Sequence, residues 1–205
     1  MTIARKRKKS PRYAERMNDK MAQIYDVTAT LICRKGFDAT SVSDIADAMN
    51  LTKAGLYHYI DGKQDLLFKI MRFALEALSE DVIVPARNEP DAARRLDVIV
   101  RNHVLTITRG SSSMTILMDE VAGLSVEQQK EVVQQKVEYY RLVRDTLKEL
   151  RAQGKLNDLN PSTAAHHLIG MILYLSRWFR RDREMNDEQI ADEVLRIVHG
   201  GFLKN

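Results

Sequence analysis

Eight residues between positions 40 and 63 carry the clearest chemistry in this sequence: Thr40, Ser41, Thr52, Lys53, Gly55, Tyr57, His58 and Lys63. Their hydroxyl, ammonium and imidazole groups are hydrogen-bond donors suited to anionic oxygen. Thr52 and Lys53 fall where a short helix would start, and the dipole of a helix N-terminus already attracts phosphate. Tyr57 and His58 can bond phosphate without reading a base sequence, and Lys63 can pin a further phosphate. Ala54 and Gly55 are small enough to let the backbone approach base edges. The spacing predicts two short helices joined by a tight turn, a helix-turn-helix, whose second helix fits a DNA major groove.

The elements that must position these groups follow from apolar spacing. Met21, Ile24, Tyr25, Thr28, Leu31 and Ile32 form one stripe and predict a first helix over 17–35, closed by Gly36. Phe37 anchors the turn after it, and Cys33 reads as inert packing. Ser41 caps a second helix, with Asp44 answering in a capping box and Val42, Ile45, Ala46 and Met49 buried. Asn50 and Leu51 make the turn. Thr52 caps a third helix with Leu56 and Tyr59 facing inward.

Lys63 opens a fourth helix that breaks before Pro85. Further helices are predicted over 91–109, 114–122, 125–153, 160–181 and from Asn186 to Gly200-Gly201. The expectation is an all-α chain of nine helices: a flexible basic arm (1–16), a helix-turn-helix domain (17–62) and a helical ligand-binding and dimerisation domain (63–205).

Composition narrows the class. Of the chain's 205 residues 44% are hydrophobic, enough for a real core. Its apolar runs are too short to span a bilayer, and no apolar segment follows the basic N-terminus as a secretory signal would require. One cysteine excludes an intramolecular disulfide and fits a reducing cytoplasm, the expected location. Residues 1–62 hold 11 Lys/Arg against 7 Asp/Glu, whereas the remainder holds 21 of each. All the excess positive charge therefore sits at the end expected to meet phosphate. Arg5 to Arg12 within it reads either as a solvated tail or as a phosphate tether.

The stretch from Gly36 to Leu67 resembles the N-terminal domain of TetR-family transcriptional regulators. The resemblance rests on Gly36, Phe37, Thr40, Ser41, Val42, Asp44, Ile45, Ala46, Gly55, Leu56, Tyr57, Lys63, Leu66 and Leu67. Three positions depart from the family pattern. Ile60 replaces a phenylalanine, Gln64 a glutamate, and Gly62 the serine that would cap the fourth helix, where Asp61 could partly substitute. The resemblance implies DNA contacts from Thr40, Ser41, Thr52, Lys53, Tyr57, His58 and Lys63. It also implies a homodimer joined by its eighth and ninth helices, a palindromic operator on double-stranded DNA, and a small-molecule effector.

The eighth helix offers Ala165, Leu168, Ile169, Ile172 and Ser176 for the dimer seam, and the ninth Ile190, Val194, Ile197 and Val198. These stripes could equally face the monomer core. Tyr174, Arg177, Trp178, Phe179 and Arg180 close the eighth helix with an aromatic and cationic run that resembles a TetR branch sensing CoA thioesters. With Met118, Asp119 and Met171 they form the candidate effector site. The alternative is a helix end where arginine complements the dipole and Trp178 fills the seam.

His166 and His167 point about 100° apart on a helix, so they poorly share a metal; His103 and His199 stand isolated. No metal and no cofactor is expected. The leading expectation is a ligand-responsive repressor. The alternatives are a helical enzyme acting on CoA thioesters and an architectural DNA binder without an effector.

Overall fold

The computed structural model describes residues 19–109, 113–179 and 185–204, and leaves the side chains of Asp19, Met114, Met118 and Asp119 undescribed. The predicted basic arm, residues 17–18 of the predicted first helix, residues 110–112 and Arg180 lie outside the described residues. Among the described residues the architecture is helical, and the only β-type pairing is one isolated bridge, Leu156 to Leu203. No described helix is long and apolar enough to cross a membrane.

Helix α1 (Asp19–Lys35) buries Ile24, Tyr25, Thr28, Ala29 and Ile32. Gly36 ends it at φ 84°, its N–H reaching Ile32 O at 2.7 Å, a left-handed closure that glycine adopts without strain. Cys33 is exposed, not packed, because it sits on the outer side of this helix. Helix α2 (Val42–Ala48) is fastened by Ser41 and Asp44 in a reciprocal capping box and buries Ile45 and Ala46. Asn50 turns the chain at φ 52°, a conformation its short polar side chain tolerates. Helix α3 (Lys53–Tyr57) follows at once.

Helix α4 (Lys63–Leu78) does not break before Pro85. It runs on through one π-helical turn (Ser79–Ile83) and a last α-turn (Val84–Arg87). Proline has no N–H for the carbonyl four residues back, which here is Asp81 O. Asn102 Nδ2 donates to that oxygen instead, at 2.8 Å. The wide turn and the borrowed donor together let the helix carry its proline.

Helix α5 (Ala92–Arg109) is the axis of the second domain, packed against α7 (Val126–Ala152), α8 (Pro161–Trp178) and α9 (Asp187–Phe202). Its stripe Leu96, Ile99, Val100, His103, Val104 and Ile107 is wholly buried. Short helix α6 (Ser113–Asp119) and a 3-10 turn (Val121–Gly123) lie against α1 and α4, linking the two domains.

The sequence predicts α8 to run to residue 181, but it ends at Trp178, with Phe179 extended beyond it. Helix α9 passes through Gly200-Gly201 to Phe202. Asn157 Nδ2 donates to the carbonyls of Gly201 and Leu203 and holds that end in place. Ion pairs from Arg101 to Glu188 and Asp192, and from Arg109 to Asp187 and Glu188, tie α9 to α5.

Most of the residues expected at a dimer seam are core instead. Ala165, Leu168, Ile172, Ile190, Val194 and Val198 are buried within their own chain, where α8 packs on α5 and α7 and α9 packs on α5. Ile169 and Ser176 are half-buried, and Ile197 is 56% exposed.

Candidate DNA interface and regulatory core

The DNA-facing geometry is built on one five-residue helix. Thr52 is its N-cap, and its Oγ1 accepts from Gly55 N–H at 3.0 Å. A Cβ at position 55 would lie 3.1 Å from that hydroxyl oxygen, so the glycine lets the cap close tightly. Leu56 is fully buried and holds the helix to the domain. Lys53, Ala54, Tyr57 and His58 are left pointing outward, with Tyr57 48% exposed.

The inward anchor after Leu56 is Ile60, not Tyr59. Tyr59 is 37% exposed and Ile60 is buried, because the helix stops at Tyr57 and the backbone turns before Ile60. The isoleucine therefore does the packing expected of the family's phenylalanine.

Three of the eight predicted contact residues are occupied elsewhere. Thr40 is fully buried, and its hydroxyl donates to Gly36 O at 2.8 Å, closing the turn between α1 and α2. Ser41 is exposed, but its hydroxyl accepts from Asp44 N–H at 3.0 Å and lies 2.8 Å from Asp44 Oδ2. Hydrogen bonds from the Ser41 backbone and hydroxyl, and then the ion pair with Lys35, hold the Asp44 carboxyl at a pKa of about 2. Lys63 Nζ donates to Phe37 O at 2.9 Å and Asp38 O at 3.3 Å and sits 4.3 Å over the Phe37 ring. Thr40, Ser41 and Lys63 thus shape the motif from within, while Thr52, Lys53, Tyr57 and His58 form its outward surface.

Gly62 stands at φ 155°, ψ 172° and caps α4 without a side-chain bond. Asp61 does not substitute for the missing cap, since its carboxylate is 3.2 Å from Lys69 Nζ.

In the second domain the predicted effector cluster is not brought into the core. Tyr174 is 63% exposed and Trp178 46% exposed; Arg177 is exposed beside them and Met171 is half-buried. Trp178 packs edge-on against Phe179 with ring centroids 6.3 Å apart. The side chains of Met118 and Asp119, and all of Arg180, lie outside the described residues.

The polar pair that is in the core went unnoticed in the sequence. His103 on α5 and Tyr139 on α7 share a hydrogen bond, Nδ1 to Oη 2.8 Å, with the rings edge to face at 5.1 Å. Both are buried. Burial lowers the imidazole pKa to about 3 and raises that of the phenol, so both are neutral at physiological pH. The available signal was the register of His103 on the apolar stripe of α5. His199 is not isolated either: its Nε2 lies 2.6 Å from Asp97 Oδ1. His166 stacks on Tyr140 at 4.4 Å, and His167 Nδ1 is 2.9 Å from Thr163 O, so the two histidines are directed at different partners.

Comparison with known proteins places this geometry in a family. Residues 24–70 match the model of bacterial regulatory proteins of the tetR family, and residues 89–202 match the tetracyclin repressor-like C-terminal domain. The chain belongs to the TetR family of transcriptional regulators. It is 26% identical over 182 residues to the HTH-type transcriptional repressor KstR2 of Rhodococcus jostii, covering 88% of this chain and 89% of the relative.

Among solved structures, AibR in complex with isovaleryl coenzyme A and operator DNA superposes with a TM-score of 0.79 at 32% identity, covering 89% of this chain and 100% of that one. The ketosteroid regulator KstR2 of Mycobacterium tuberculosis shares the fold at a TM-score of 0.85 and 21% identity, covering 93% and 98%.

Proposed function

We propose that this chain is a homodimeric, ligand-responsive repressor that places α3 of each copy in the major groove of a palindromic operator and lets go when an acyl-CoA or related CoA thioester binds the second domain. The observation that carries the DNA half is the outward face of α3, where Lys53 stands exposed at the capped N-terminus and Tyr57 and His58 at the C-terminal end. A helix of five residues offers few base contacts, so two half-sites are needed for useful affinity. The effector half rests on the similarity to AibR, solved with isovaleryl coenzyme A. Ligand and operator then oppose each other through a differential affinity for two states of the dimer.

The dimer forms through α8 and α9, by the faces those helices turn outward. Tyr174 and Trp178 on α8 and Ile197 on α9 are large apolar groups left exposed. A Cβ at Gly170, Gly200 or Gly201 would meet nothing within 4 Å, so a partner helix can come close there. Tyr174 and Trp178 in this reading fill the seam, and Arg177 beside them lies where it can meet a CoA phosphate at its edge.

A gel shift with the DNA upstream of the protein's own gene tests the proposal, with isovaleryl-CoA and longer acyl-CoAs as competitors. A shifted band at physiological salt that an acyl-CoA abolishes supports it. A band that no thioester changes, in a protein that no thioester stabilises against heat, removes the effector assignment and leaves an architectural DNA binder.

A further inference from the structure

The turn after α6 grips the DNA-binding domain at one residue. Glu120 Oε1 accepts from Phe37 N–H at 3.3 Å, across 83 positions of sequence. Phe37 O accepts from Lys63 Nζ, and the same ammonium lies over the phenyl ring. Gly123 packs against one edge of that ring, where a Cβ would stand 2.9 Å from Phe37 Cδ1 and 2.9 Å from Leu67 Cδ2. Gln64 Nε2 donates to Gly123 O at 3.1 Å, and Leu124 is buried behind it. The joint between α1 and α2 is thus held at its N–H, its carbonyl and its ring, partly by residues of the second domain.

We propose that Glu120 and Gly123 are positioning residues that set the angle of the helix-turn-helix relative to the regulatory domain; this rests on the operator-binding reading above. The contact at Gly123 has no slack, because packed interiors transmit displacement and do not absorb it. The carboxylate of Glu120 gives it direction, since a hydrogen bond to an ionised acceptor weakens steeply when its geometry is lost. A movement of α6, which runs directly into this turn (Glu120 N–H to Ile116 O, 3.0 Å), must then move Phe37 and the helices it joins.

The test uses the full-length chain with a nitroxide on Cys33, its one cysteine, exposed on α1. Pulsed dipolar spectroscopy between the two copies of the dimer reads the separation of the DNA-binding domains, and fluorescence anisotropy reads operator affinity. Wild type is expected to give one narrow distance distribution. Gly123→Ala and Glu120→Ala are expected to shift or broaden it by several ångströms and to weaken operator binding at least tenfold, with dimerisation retained in both and the melting temperature retained in Glu120→Ala. Glu120→Gln keeps an acceptor oxygen and is expected to stay close to wild type.

If Gly123→Ala fails to fold, Glu120→Ala and Gln64→Ala, each of which removes one hydrogen bond to backbone and adds no atoms, decide the matter. Wild-type distances and affinities in these folded variants overturn the proposal. A wild-type sample with no dipolar signal contradicts the dimer, and the strap is then judged on operator affinity. A wild-type sample that binds no duplex contradicts the operator reading, and the strap is then judged on the distance.

Discussion

At the scale of single residues, two kinds of polar group need separating: those that meet an outside partner and those that hold the protein to its own shape. Lys53 and Tyr57, exposed on α3, are proposed to belong to the first. Lys53→Ala is expected to weaken operator binding across all sequences and lower the salt dependence by about one counterion, with an unchanged melting curve. Thr40 belongs to the second, so Thr40→Val should lower stability by about 1 kcal/mol by removing the bond to Gly36 O. Had Thr40 contacted DNA, the loss would appear in operator affinity with the melting temperature intact.

The pair His103–Tyr139 makes a prediction about pH. The imidazole pKa in the fold, about 3, lies below its ordinary value of 6.5. Between these values the unfolded chain binds a proton that the folded one does not. Stability is therefore complete above about pH 6.5 and falls as pH drops toward 3. The slope from this group is at most about 1.4 kcal/mol per pH unit. Denaturation midpoints measured from pH 7 to pH 4 should show it, and His103→Gln should flatten the curve even though it lowers stability throughout. An unaltered slope in that variant would place the proton uptake elsewhere. Asp44 acts in a separate, lower window, lost only as pH falls from its ordinary 3.8 through about 2.

At the scale of elements, caps and turns were legible in the sequence because their signals are local. Ser41 with Asp44, and Thr52, cap the helices the sequence assigns to them, and Ser125, Asn160 and Asn186 cap helices predicted to begin at those positions. What could not be read was a matter of tertiary satisfaction. Nothing near Pro85 announces that Asn102 supplies the missing donor, so the helix appeared to break there. The inward stripes of α8 and α9 are the same whether a helix faces its own core or a partner. That ambiguity put Leu168 and Ile172 at a seam when they are buried within their own chain. The exposure of Tyr59 follows from where α3 stops, a boundary set by one turn of backbone.

Gly62 is an instructive departure. A serine there would restore the family's cap, but φ 155° favours glycine. Gly62→Ser is thus expected to lower the melting temperature; a rise would show that the cap outweighs the backbone strain.

At the scale of the whole molecule, the charge asymmetry, the short recognition helix and the outward apolar groups of α8 and α9 describe one machine. In the proposed function, excess positive charge brings the N-terminal third to DNA, dimerisation doubles a weak contact, and the second domain alters the spacing of the two readers. Tyr174→Glu or Ile197→Glu should give monomers by analytical ultracentrifugation and at least a tenfold loss of operator affinity, since each sits on an exposed face with no core role. A dimer that persists in both variants would move the seam to another surface.

The central claim is tested most directly by an anisotropy titration of the wild-type protein against the duplex upstream of its own gene, at physiological salt, repeated with saturating isovaleryl-CoA and longer acyl-CoAs. The account predicts saturable binding with two protein chains per operator, a scrambled duplex binding at least a hundredfold more weakly, and release by at least one thioester. Equal affinity for operator and scrambled duplex would contradict it.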